Sequence, residues 1–129
     1  MDQETESALG RAAGLRLPRF TEDNRARRVE ILCDHILETA TIRGELAQLR
    51  MQAHVDLLGA LAEWNSASNF RQSKGVKANE EIKRQEHPEL AAKLDRCKWM
   101  IARCNEEMDR LGGSDYDAAS RAYTLLAGQ

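Results

Sequence analysis

The chain has 129 residues, 31% of them charged and 42% hydrophobic, with a formal net charge of −2. That length suits one modest core, and near-neutral charge with a regular apolar rhythm excludes a disordered polyelectrolyte. No apolar run reaches the roughly 18–20 residues of a membrane span. The opening "MDQETESALG" is acidic and polar, unlike a signal sequence, so a protein of a reducing compartment that engages no membrane is expected. The cysteines, Cys33, Cys97 and Cys104, fit this: their number is odd and no CxxC pair occurs. Cys97 and Cys104 lie about 10.5 Å apart along one expected helix, too far to bridge.

Residues 1–20 read as a flexible tail, with Gly10, Gly14 and Pro18 as breakers. The same segment also reads as a docking arm that lays Leu15, Leu17 and Phe20 on a neighbour. A helix is expected over about 22–66, with Thr21 as N-cap and Glu22 and Asp23 in its first turn. Val29, Leu32, Ile36, Ala40, then Leu46, Leu49, Ala53, Leu57, Ala60 and Trp64 recur on one face at three- and four-residue steps. Gly44 and Gly59 weaken this helix locally, and "TIRGE" leaves a break open. Met51, Val55 and Leu58 form a second apolar stripe beside the first. A helix with two apolar stripes needs two sets of neighbours, which points to self-association.

Beyond the connector "EWNSASNFRQSKGVKANEE", a short helix is expected over 79–86, and Pro88 opens another that runs to 111. Its heptad seam places Leu90, Cys97, Cys104 and Leu111 at one position and Leu94, Ile101 and Met108 at the other. Gly112 and Gly113 read as its C-terminal stop. Ser114 and Asp117 then resemble a capping box for a last helix over 115–127, with Tyr116, Ala119, Tyr123 and Leu126 on one face. The expected fold is all-α. A single domain over 21–129 forms a long antiparallel helical hairpin with a short C-terminal helix, coiled-coil-like and self-associating.

Nothing in the chain assembles a catalytic constellation, so no enzyme, cofactor or metal site is expected. His35, His54 and His87 are dispersed; His35 and His54 read as solvated or partner-facing, and Cys33 and His35 point to different sides of a helix. "GRAAG" lacks the phosphate-loop pattern and a preceding strand.

Binding surfaces are the better candidates. Arg71, Lys74, Lys77 and Arg84 lie in or just beyond the connector, interleaved with Phe70, Asn69 and Gln72. Cations that track phosphates and aromatics that stack on bases suit single-stranded nucleic acid, and an oligomer would multiply such weak contacts. A plain helix connector is the other reading. Trp99 points away from the seam, between Arg96 and Arg103, and reads as a packing contact or a stacking platform. Met51, Val55, Leu58, Leu94, Trp99, Ile101 and Met108 are the candidate partner or oligomer contacts.

The order of elements resembles the UvsY-type recombination mediators of bacteriophages. The likeness lies in the long helix "ELAQLRMQAHVDLLGALAEW", the polar and basic connector, and the return helix "ELAAKLDRCKWMIARCNEEMDRL". A glycine break and a tail ending "LLAGQ" complete it, over residues 30–129. The resemblance implies a small helical oligomer of the host-cell cytoplasm that binds single-stranded DNA and helps load a recombinase, with Arg71, Lys74 and Lys77 as contacts. The mild acidity of the chain and its few aromatics depart from that pattern. "WNS" at 64–66 also sits where WXG-type hairpins turn, but Ser66 replaces the glycine, and Tyr116 and Tyr123 lack an acid four residues later. The alternative class is a structural, assembly or adaptor protein, such as a virion component, using protein contacts alone.

Overall fold

The computed structural model describes residues 3–19, 24–66 and 76–128, with side chains over 8–19, 24–66 and 80–128. Four helices account for nearly all of them: α1 (Gln3–Gly14), α2 (Arg25–Ser66), α3 (Val76–Glu86) and α4 (Pro88–Ala127). No strand occurs among the described residues. The fold is all-α, and its frame is the hairpin of α2 and α4. The chain divides into two compact units, residues 1–49 with 104–129 and residues 50–103.

Asn24, not Thr21, caps α2. Its Oδ1 accepts the Arg27 amide at 3.1 Å, and its carbonyl accepts the Arg28 amide at 3.0 Å. Thr21, Glu22 and Asp23 lie outside the described residues. Downstream the helix runs 42 residues through both Gly44 and Gly59, so "TIRGE" holds no break. Ile42 and Leu46 flank Gly44 and are buried, which fixes the helical path on either side of it.

In the first unit α2 and α4 pack antiparallel. Leu32 is buried with Ala118 and Ala122, and the partly buried Leu17, Ile36 and Leu125 pack on this cluster. One turn along α2, His35 Nε2 lies 2.7 Å from Ser114 Oγ, and Arg43 Nη1 lies 3.5 Å from Asp115 Oδ2. His35 is therefore a buried core residue rather than a solvated or partner-facing one. Ser114 bonds across the hairpin and is not a cap.

These contacts explain why the glycine pair ends nothing. Two glycines in a helix interior cost about 2 kcal/mol relative to alanine. Leu111 before the pair and Ser114, Asp115 and Ala118 after it are all held against the rest of the unit in helical phase. α4 therefore continues for 40 residues, and the C-terminal helical segment joins the return helix without interruption. A Cβ built on Gly44 or Gly113 meets nothing within 4 Å. Gly44→Ala and Gly113→Ala are each expected to stabilise the protein by about 1 kcal/mol, raising the thermal midpoint by a few degrees.

Residues 3–14, read from sequence as tail, form α1. Among its described side chains, Ala8 and Ala12 are buried and Leu9 and Ala13 half-buried. Arg110 on α4 latches its C-terminal end: Nη1 donates to the Leu15 carbonyl at 3.0 Å and Nη2 to the Ala12 carbonyl. The last carbonyls of a helix have no intrahelical partner, and a cation there also meets the negative end of the helix dipole. Glu107 orients the same guanidinium, accepting from Nε at 3.1 Å and Nη2 at 2.9 Å. Arg11 on α1 pairs with Glu45 on α2.

In the second unit, residues 50–66 of α2, all of α3 and the start of α4 pack together. Ala53, Ala60, Ala91, Leu94, Cys97 and Met100 are buried. The buried line of α4 passes through Met100 and, in the first unit, Glu107, with Ile101 and Met108 only half-buried. A helix of 3.6 residues per turn drifts from a strict seven-residue seam. In the first unit, the latch to α1 draws in the side of α4 that carries Glu107.

Candidate functional site

Met51, Val55 and Leu58 stand on α2 at steps of four and three and are 69%, 56% and 68% exposed. Ala53 and Ala60, on the opposite side of the same turns, are buried. The second stripe read from the sequence is thus an outward apolar face. Leu94, in contrast, is a core side chain of the second unit and cannot contact a partner.

Trp99 is 47% exposed on α4, and Arg96 and Ala102 on the same side are also exposed. Trp64 is not an open platform. It is half-buried, and Lys83 Nζ sits 4.6 Å from its ring centroid. A cation at that distance over an indole face is attracted by the ring quadrupole. Lys83 is itself buried, so α3 is fastened to the end of α2 by this contact.

The candidate phosphate contacts divide. Arg71 and Lys74 lie outside the described residues, as does the side chain of Lys77. Arg84 is committed elsewhere: Nη1 and Nη2 each donate to a different Asp95 oxygen at 2.9 Å, and Nε approaches Glu80 at 3.9 Å. The turn at His87 brings Arg84 of α3 to Asp95 of α4, and the planar guanidinium fork meets the carboxylate through two parallel bonds. Its acid lies on another helix, so the sequence alone shows Arg84 only as one of a run of cations.

Hydrogen bonds from Arg84 hold the Asp95 carboxyl below its ordinary range, with Lys98 adding a weaker push the same way. The Arg84 guanidinium is raised correspondingly, first by the hydrogen bond to Asp95. A depressed carboxyl contributes stability above its unfolded value and loses it as pH falls through the folded value. The α3–α4 contact is therefore expected to persist to a pH below the usual carboxylate range and to loosen beneath it. An NMR titration of the Asp95 carboxyl checks this, with Arg84→Ala restoring an ordinary midpoint.

Two clefts lie among the described residues. One of ≈ 320 Å³ is lined by Arg28, Ser120, Arg121, Thr124 and Leu125 in the first unit. The other, of ≈ 550 Å³, lies in the second unit among Glu63, Glu86, His87, Glu89 and Lys93. Neither was read from the sequence, although the run "RARR" at 25–28 was visible there. Among the described residues, no group of three or more His, Cys, Asp or Glu side chains could hold a metal ion. No described helix is long and apolar enough to cross a membrane.

No family model, curated protein or solved structure matches this chain. The likeness to UvsY-type mediators therefore rests on the layout of residues 30–129 alone. Cys97 and Cys104 are buried thiols and Cys33 an exposed one.

Proposed function

We propose that this chain is a non-enzymatic helical accessory protein that self-associates and binds single-stranded DNA and a protein partner in recombination or replication, as bacteriophage mediators of the UvsY type do. The observation that carries the reading is the outward apolar face of Met51, Val55 and Leu58, on a helix whose opposite face already has its own core. Such a face favours burial against another helix. Self-association would repeat the basic connector of Arg71, Lys74 and Lys77 and the exposed Trp99, so that weak contacts along one strand add. In this role the protein works in the host-cell cytoplasm.

The expected result is an oligomer at tens of micromolar by light scattering, converted to monomer by Val55→Asp with helicity retained. A monomeric wild-type mass would sink the self-association. Fluorescence anisotropy with a labelled single-stranded oligonucleotide is expected to show binding at low salt that weakens as salt rises. Arg71→Ala, Lys74→Ala and Lys77→Ala together should weaken it and flatten the salt slope. The same apolar face also supports a second reading, an assembly or adaptor protein such as a virion component. Under that reading the oligomer forms but no DNA binds at any salt concentration.

A further inference from the structure

We infer that the side of the α2–α4 pair left open by α1, in the first unit, is the docking surface for the protein partner. The occupant it fits is an amphipathic helix whose apolar stripe is flanked by lysines and arginines. The inference rests on the protein-partner part of the reading above and gives that partner a place and a chemistry.

α1 covers only one side of the pair, held there by Glu45 of α2 and Arg110 of α4. Arg43 and Asp115 meet at 3.5 Å on the other side. At 100° per residue, Arg43 stands about 160° around α2 from Glu45, and Asp115 about 140° around α4 from Arg110. Residues at three- and four-residue steps share a helix face. Ala40 and Ile36 therefore lie on the side of Arg43, and Ala119, Tyr123 and Leu126 on the side of Asp115. Tyr116 precedes Ala119 on the same stripe. Ile36 is half-buried and forms the floor, whereas both tyrosines are 73% exposed and Leu126 60%. Leu37 stands exposed at the outer flank on α2. From Gly112 to Leu126 the surface runs about 21 Å, room for roughly four turns of a docked helix. The furrow between two packed helices is where a third one rests, and α1 already uses the opposite furrow in that way.

Charge selects the occupant. Apart from the Arg43–Asp115 pair, no charged side chain stands on this face between Val29 and Gly44 of α2 or between Gly112 and Leu126 of α4. Its flanks are acidic: Asp34 on α2 and Asp109 on α4 are exposed, and Glu30 is balanced by Arg27 at 2.9 Å. The cations of this stretch of α4 point elsewhere. Arg110 is bound to the α1 end, and Arg121 stands about 160° around the helix from Tyr123. An anionic strand is repelled by such a border. A helix with apolar anchors at i, i+3, i+4 and i+7 buries them on the tyrosines and Leu126 while its cations meet the acids.

The test is anisotropy of a labelled helical peptide of about 20 residues, with leucines at three- and four-residue steps and lysines on its other faces. A second peptide replaces every lysine by glutamate. Each variant of the full-length chain is first shown to keep its helicity by circular dichroism. The lysine peptide is expected to bind wild type at least about tenfold more tightly than the glutamate peptide. Tyr116→Lys with Tyr123→Lys should weaken it about tenfold. Asp34→Lys with Asp109→Lys should reverse the preference, a readout that lost packing alone does not produce. Binding of neither peptide, or of both equally, would overturn the inference. So would loss of binding in Val55→Asp but not in the tyrosine variant, which places the peptide on the other apolar stripe. If the tyrosine variant instead dissociates a wild-type oligomer, the face is a contact between copies, and the inference falls while self-association stands. A monomeric wild type, or one that binds no DNA, sinks those parts of the reading and leaves the peptide result intact.

Discussion

Leu111→Ala and Leu46→Ala are each expected to lower the unfolding free energy by about 3 kcal/mol, the usual cost of emptying a fully buried leucine site. Both side chains are completely buried in the first unit. Leu58→Ala removes the same atoms from a side chain that is 68% exposed, and should change stability by less than about 0.5 kcal/mol in dilute monomer. Urea midpoints for the three variants provide the measurement. Leu111 matters in a second way, because it is one of the anchors that carry α4 through Gly112 and Gly113. Its loss should therefore also loosen the segment beyond the pair, seen as faster amide exchange over 114–127. Equal costs for Leu58 and Leu111 would contradict the assignment of inner and outer faces.

Arg110→Ala is expected to cost about 2 kcal/mol and to release α1. The substitution removes charge-assisted bonds to the Ala12 and Leu15 carbonyls and one partner of the buried Glu107. The cost stays modest because the Arg110 side chain is itself 36% exposed and solvent screens its charge. Apolar contact adds to the latch, since Ala8 and Ala12 bury methyl groups worth about 0.8 kcal/mol each and Leu9, Leu15 and Leu17 are half-buried. Amide exchange over residues 8–16 should rise sharply in the variant. Arg110→Lys should restore part of the protection, since one ammonium keeps the charge but lacks the planar fork that reaches both carbonyls. Unchanged exchange in Arg110→Ala would show that the latch is not what holds the arm.

The frame of the fold was legible because its signals are periodic. Leu90, Leu94, Cys97, Cys104 and Leu111 keep helical spacing over several turns, and no strand pattern competes with them. The outer stripe of Met51, Val55 and Leu58 was legible for the same reason, as apolar residues beyond what one face requires. α1 was not, because its fully buried side chains are alanines, which carry little hydrophobic signal, and one of its anchors, Arg110, lies 98 residues away. The glycine pair misled because a stop signal is local, whereas His35 and Ser114, which hold the helix on course, are 79 residues apart. Arg84 misled similarly: a cation in a list of neighbours looks available until the fold places Asp95 against it. The tyrosine face of α4 was legible from spacing alone, and Tyr116 and Tyr123 both stand exposed on it.

The placement of Lys83 over Trp64 has a practical consequence for spectroscopy. The chain has two tryptophans, and the fold gives them unlike surroundings. Trp64 sits half-enclosed beneath an ammonium group, while Trp99 faces solvent. Collisional quenchers such as iodide should therefore reach Trp99 first, and its emission should shift to the blue when another molecule covers that side of α4. Trp64 should respond instead when α3 lifts away. With Trp64→Phe and Trp99→Phe variants the two signals separate, and the protein supplies its own optical probes for assembly on one side and for unfastening of α3 on the other.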